Sequence, residues 1–270
     1  MFDGDTRRQR AVSDLVAFTL TFAIIVSGIG FVYISGFDAL NDLQAGERAN
    51  SADRTMQGVA QTYEEIHEED IPGRALEVEL GGSSLRTTES RLFVRINNTT
   101  TDPETPIIER TLDPRALVLD SKDVPTRFVY EIGGLFRLGR QGQLVRHRPT
   151  FECRPEKRAT LSLISLRGNI SLGGQTSVVL VGQHVDEGSA KLFPGPDPNG
   201  NQYFQPTDAG NVSINVSEMA ASDAWDQYFS RSGWEESARD GEFYCKVDEG
   251  GDHGGTVFLR RTVIELSTIY

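Results

Sequence analysis

Lysine is nearly missing from this 270-residue chain: Lys122, Lys157, Lys191 and Lys246 are the only four among 27 basic residues. Arginine supplies the rest, against 39 acidic residues, and the formal net charge is −12. No basic patch with interleaved aromatics occurs, which argues against nucleic acid as a partner. An acidic surface with arginine in place of lysine suits a protein in concentrated salt, where carboxylates keep it hydrated. Histidine is as scarce, with only His67, His147, His184 and His253. None stands in an H-E-x-x-H pair, no G-x-S-x-G elbow occurs, and neither a Walker loop nor a G-x-G-x-x-G follows a strand. His147, between Arg146 and Arg148, reads as a strand-end surface residue. The chain is therefore expected not to be an enzyme, with no catalytic residues, no cofactor and no metal. A partial calcium register at Asp197, Asn199, Asn201 and Asp208 does not change this. It has Gln202 where glycine is needed, and Asp208 where glutamate is usual.

Charge is also missing from one long stretch. Between Leu15 and Phe37 there is no Asp, Glu, Lys or Arg. A helix of that length spans roughly 34 Å at about 1.5 Å per residue, enough for a hydrocarbon core of about 30 Å. Arg7, Arg8 and Arg10 precede it, and Asp38, Asp42 and Glu47 follow. The positive-inside bias places the N-terminus in the cytoplasm and the rest outside. A cleaved signal peptide would have a shorter apolar run, of about 7–15 residues. Beyond it, Ala49, Ala52, Met56, Val59, Tyr63 and Ile66 recur at spacings of three and four, one apolar seam on a continuing helix. The seam either packs on the following domain or coils with a neighbouring chain. Asp70-Ile71-Pro72-Gly73 ends the pattern.

With Arg10-Ala11-Val12-Ser13 standing just before the uncharged stretch, the sequence resembles the archaeal type IV pilin-like proteins, especially those of halophiles. The resemblance implies a short basic leader cut by a prepilin peptidase between Ala11 and Val12, which leaves the anchor helix on the mature chain. It further implies association with other pilin-like subunits through the N-terminal helix. The resemblance covers Arg7 to Ile66. Where many such proteins continue with Pro-Val-Ile-Gly, this chain has Asp14-Leu15-Val16-Ala17. Asp14 would either pair with a neighbour's terminal amine in a filament or start the helix at headgroup level in a lone anchor.

After Gly73 the texture changes to short alternating apolar runs. Strands are expected at Ala75–Leu80, Leu92–Ile96, Ala116–Leu119, Phe128–Ile132, Leu144–Arg146, Thr160–Leu166, Ser177–Val181, Val212–Val216, Phe243–Val247 and Thr256–Ile264. Paired Gly or Asn residues punctuate them, Gly133-Gly134 and Gly173-Gly174 among them. One short helix over Ser222–Ser232, capped by Ser222 or Asp223, should lay Trp225, Tyr228 and Phe229 on the sheet. The fold class is α+β: a long transmembrane and amphipathic helix, then a mostly antiparallel β-sandwich-like domain with one short helix. The expected segments are 1–11 basic leader, 12–37 transmembrane helix, 38–70 amphipathic extension and 71–270 extracytoplasmic domain. Asn97, Asn98, Asn169, Asn211 and Asn215 each begin an N-x-S/T glycosylation sequon, all beyond the membrane segment. Cys153 and Cys245, the only cysteines, form a disulfide in such a compartment or remain two buried thiols. The expected protein is a single-pass surface subunit, minor or accessory in a pilin-like system; the alternative is a solitary anchored binding domain.

Overall fold

The structure, a computed structural model, describes residues 5–98, 106–121, 125–140, 142–174, 177–193, 209–247 and 255–269. Helix α1 runs unbroken over Asp5–Glu69, through Gly46 and Gly58. It stops where Asp70 turns left-handed at φ 55°, the usual conformation of a residue closing a helix C-terminus. The strands follow as β1 (Gly73–Glu79), β2 (Ser84–Glu89), β3 (Leu92–Asn98), β4 (Pro106–Leu112), β5 (Arg115–Asp120), β6 (Thr126–Glu131), β7 (Gly134–Gly139), β8 (Gly142–His147), β9 (Phe151–Arg154), β10 (Arg158–Arg167), β11 (Ser171–Gly173), β12 (Ser177–Phe193) and β13 (Ala209–Asn215). Helix α2 (Ser222–Phe229) interrupts before β14 (Glu235–Glu236), β15 (Glu242–Lys246) and β16 (Thr256–Ile269). The chain divides into two units, residues 1–47 and 48–270.

In the second unit an eleven-stranded sheet has the main order β1-β12-β16-β10-β5-β6-β7-β8, with β2 and β11 paired beside β5 and β9 on β10. A five-stranded sheet has the order β14-β15-β13-β3-β4. The β10–β16 ladder is parallel, over ten residue pairs from Arg158↔Thr256 to Arg167↔Glu265. The other described ladders, such as β12–β16 and β6–β7, are antiparallel. The class expected from the sequence, α+β with a mostly antiparallel domain, is the one observed.

Both faces of the large sheet are apolar, and each is covered. On β5 Leu117 and Leu119 point to one core while Ala116 and Val118 point to the other; on β6 Phe128 and Tyr130 oppose Val129. That period of two explains why these strands read as continuous apolar runs. The first core is closed by the seam of α1. Met56, Val59, Ala60 and Ile66 have no exposed surface, and Tyr63 almost none. They pack on Leu117, Phe128, Tyr130, Ile264 and Leu266. Of the two fates the seam allowed, the structure shows packing on the chain's own domain. Each such side chain contributes about 1.5–3 kcal/mol by leaving water. Asp53, on the same helix, receives a two-pronged hydrogen bond from the Arg146 guanidinium of β8.

The second core lies between the large sheet, the small sheet and α2. Trp225 and Phe229 of α2 are buried among Phe136, Phe151, Trp234 and Phe243. The expected side-chain cap of α2 does not form: Ala221 holds the N-cap position, and no local side chain bonds there. Glu131, from β6, does the work instead. Its Oε1 accepts from Ala221 N–H at 2.9 Å and Trp225 Nε1–H at 2.8 Å; its Oε2 accepts from Ala220 N–H at 3.1 Å and Ser90 Oγ–H at 2.8 Å. A helix start offers unpaired N–H groups and a partial positive charge, so a carboxylate arriving from the sheet caps it better than a hydroxyl would. Glu131 is fully buried, and burial pushes its carboxyl above the ordinary range while the four donors pull it back.

Two turns differ from expectation. The β6–β7 hairpin turns on Ile132 (φ 48°) and Gly133 (φ 84°), so β6 stops at Glu131, one residue before the expected Ile132, while Gly134 opens β7. A β-branched residue is strained there, but Ile132 is completely buried in the second core, which offsets the strain. Strand β12 continues past Val181 because β16 pairs with it as far as Phe193, across a register shift between Val185 and Ser189.

Gly182 in that strand is where Tyr63 nests. A Cβ there would lie 2.9 Å from the Tyr63 ring and 3.0 Å from Ile264 Cγ2. Gly182→Ala should cost about 1–3 kcal/mol in urea unfolding, as overpacked cores do. The buried hydroxyls of Tyr63 and Tyr130 have no hydrogen-bond partner, so Tyr63→Phe should leave stability unchanged or raise it. A clear loss of stability in Tyr63→Phe would contradict this packing.

Candidate functional site

The uncharged part of α1 is the first feature with a functional meaning. It contains a window of mean hydropathy 2.1, and its large side chains stand open all round, with Phe18 68%, Phe31 74% and Tyr33 70% exposed. Its hydroxyls are spent on the helix itself. Thr19, Thr21 and Ser35 donate to the carbonyls of Val16, Ala17 and Phe31 at 2.9, 2.8 and 2.8 Å. Polar groups hidden this way are tolerated in hydrocarbon. This is one helix long and apolar enough to span a membrane. Arg10, Ala11 and Val12 fall within α1, which already begins at Asp5; their side chains, like that of Asp14, lie outside the described residues.

The second feature sits at the other end of α1. His67, which sequence patterns left unassigned, is only 5% exposed. Its Nδ1 meets Thr262 Oγ1 of β16 at 2.7 Å, and its Nε2 meets Ser162 Oγ of β10. Beside it lies a cavity of about 180 Å³ bordered by Glu64, His147, Arg148, Thr150, Ser162 and Arg260. His147 Nε2 stands 3.3 Å from Glu64, and His184 Nδ1 stands 3.3 Å from Asp70. No sequence motif announces this cluster, because its members come from α1, β8, β10, β12 and β16; only the burial of a helix-end histidine on the apolar seam could have hinted at it.

A serine hydroxyl on a histidine nitrogen is the contact that activates a nucleophile. Here the surroundings work against it. The other ring nitrogen faces a hydroxyl where an orienting carboxylate would hold the imidazolium. Burial, then the nearby Arg260 and His184 charges, lower the His67 pKa to about 4. A base that weak takes up little proton near neutrality. What the geometry does well is fasten the last turn of α1 to two adjacent strands. A neutral imidazole needs one donor and one acceptor, and hydroxyls on both sides supply either.

The cysteines expected to pair do so. Cys153 of β9 and Cys245 of β15 form a disulfide with Cα atoms 5.8 Å apart, tying the large sheet to the small one. The sequons separate by environment. Asn97 donates to Asn211 Oδ1 at 2.9 Å across β3 and β13. Asn215 accepts from Ser217 N–H and Oγ–H and donates to the Asp240 carbonyl. Asn169 is exposed after the end of β10, and the Asn98 side chain lies outside the described residues. The calcium register also falls outside them, and among the described residues no three His, Cys, Asp or Glu side chains gather to hold a metal.

A family described as of unknown function, DUF7289, matches residues 10–267. No curated protein and no solved structure matches the chain.

Acid should loosen the His67 joint. A histidine whose folded pKa lies below its unfolded value of about 6.5 takes up a proton more readily when unfolded. Stability should therefore be lost as pH falls from about 6.5 to 4, by at most about 3 kcal/mol. Urea unfolding of the full chain in detergent across that range should show this slope, and His67→Gln should flatten it. An equal slope in the variant would place the acid sensitivity elsewhere.

Proposed function

The chain belongs to DUF7289, a family of unknown function matched across residues 10–267, and with the role thus left to its own residues we propose that it is a type IV pilin-like surface subunit, minor or accessory. In this reading the N-terminus is cytoplasmic, a prepilin peptidase removes the leader before Val12, and the β domain is displayed outside the cell. The observation that carries it is α1, a single uninterrupted helix that joins a basic start, an exposed apolar length and a domain-packing seam. The arginines before Leu15 and the carboxylates after Phe37 support the orientation. The disulfide supports an oxidising compartment for the β domain, and the exposed Asn169 is the sequon best placed to carry a glycan. The activity is assembly and display, with no chemistry asked of the half-buried Ser162 and its partner His67.

A second reading is favoured by the seam. Because Met56, Val59, Tyr63 and Ile66 are consumed within the chain's own domain, that stretch of α1 has no apolar stripe left for a neighbour. A solitary N-in, C-out anchor carrying a binding domain uses the same structure. The two differ at the leader.

Mass spectrometry of the native N-terminus distinguishes them. The expected mature chain begins at Val12, and Ala11→Glu should accumulate precursor, because the peptidase reads a small residue there. A native chain still starting at Met1 or Phe2 would select the solitary anchor. In either case protease added to intact cells should digest the region beyond Asp38; protection until lysis would reverse the orientation.

A further inference from the structure

Positive charge in this acidic chain is concentrated in one place. Between Thr126 and Arg167 nine basic residues stand against three acidic ones. Several arginines have a carboxylate within 4 Å, Arg127, Arg146, Arg154 and Arg158 inside that stretch and Arg74, Arg86, Arg91, Arg95 and Arg115 outside it. Arg137, Arg140, Arg148, Arg231 and Arg260 have none among the described residues. Arg137 lies over the Phe128 ring, and Arg231 reaches only the Gln227 side-chain oxygen.

These five line one track. Arg148 and Arg260 border the 180 Å³ cavity beside His67, which Glu64 and Glu68 also line. Arg148 also borders a cavity of about 310 Å³ with Arg231 and Tyr228. Gln143, Leu144 and Gln227 wall both that cavity and a third of about 630 Å³, where Arg137 and Arg140 stand. The track follows β8, the outermost strand of the large sheet, over roughly 20 Å for six residues. Guanidinium groups without a carboxylate partner keep N–H donors free, and a chain of anionic groups can accept them in pairs.

We propose that this arginine track along β8 binds a linear acidic polysaccharide, with carboxylate or sulfate groups on the arginines. A nucleic acid fits less well, because successive bases need successive open rings. Tyr228 is packed edge-on against Trp225 and its hydroxyl is bonded to the Pro149 carbonyl, which leaves Phe258 at the far end. The inference stands apart from the pilin-like reading, since it concerns the β domain whether or not the leader is cut.

The test uses the full chain in detergent micelles, immobilised and exposed to polygalacturonate, dextran sulfate, neutral dextran, poly(dT) and poly-L-glutamate at about 50 mM salt, where charge attraction is weakly screened. Polygalacturonate or dextran sulfate should bind, neutral dextran should not, and affinity should fall as salt rises. Whichever of the two acidic glycans binds identifies the anionic group. The triple variant Arg137→Gln, Arg140→Gln, Arg148→Gln should weaken binding by about tenfold or more. Arg91→Gln, whose partners Asp113 and Glu218 lie off the track, should change nothing. The proposal is overturned by absent binding to both acidic glycans or by equal binding in the triple variant. It is equally overturned if poly(dT) or poly-L-glutamate binds more tightly than either glycan.

Discussion

The large sheet has two apolar faces, and neither can be left to water. Strand β5 alone shows the constraint: Leu117 and Leu119 need one cover, Ala116 and Val118 another. A β-sandwich supplies only one. The small sheet with α2 takes the second face, and the first is closed by the end of the helix that begins in the uncharged segment. A membrane anchor and a core element are thus parts of one continuous helix. This is why residues from Arg48 onward cluster with the β domain and not with the N-terminal unit.

Covering both faces brings polar groups into places without solvent, and the structure settles them in different ways. Glu131 is held without a cation by four donors, two of them backbone N–H groups at the start of α2. Truncating it would strand those donors, at about 1–3 kcal/mol for each unsatisfied group. His67 is kept neutral between two hydroxyls, while Asp53 is paired with Arg146. In each case a polar side chain fixes the position of a helix that apolar packing alone would let slide.

Much of this was legible in the sequence. The uncharged segment, the 3-and-4 spacing from Ala49 to Ile66, the short helix with Trp225 and Phe229, and the cysteine pair all depend on local pattern or simple counting. The ten expected strands are present; most start or end further out, while β1, β6, β13 and β15 stop one residue short of the expected Leu80, Ile132, Val216 and Val247. The missed ones failed for physical reasons. In β2, Leu85 is the only fully buried side chain among Ser-Leu-Arg-Thr-Thr-Glu. Strand β7 begins on Gly134, where a Cβ would strike the Phe136 ring at 2.9 Å, so a packing glycine was read only as a turn or strand end. The cap of α2 was sought nearby, although it comes from Glu131, ninety residues away. The His67 cluster and the arginine track were invisible because their members share no segment. Only the tertiary path brings them together.

Strand β16 pairs with β12 on one side and β10 on the other, so the interior of the large sheet contains the last of the described strands. Neither core can close before it arrives. Zipping β16 between strands made long before it demands contacts of large sequence separation, which makes folding slow. The sheet order thus acts as a delay, postponing compaction until the strands on either side of β16 can be joined.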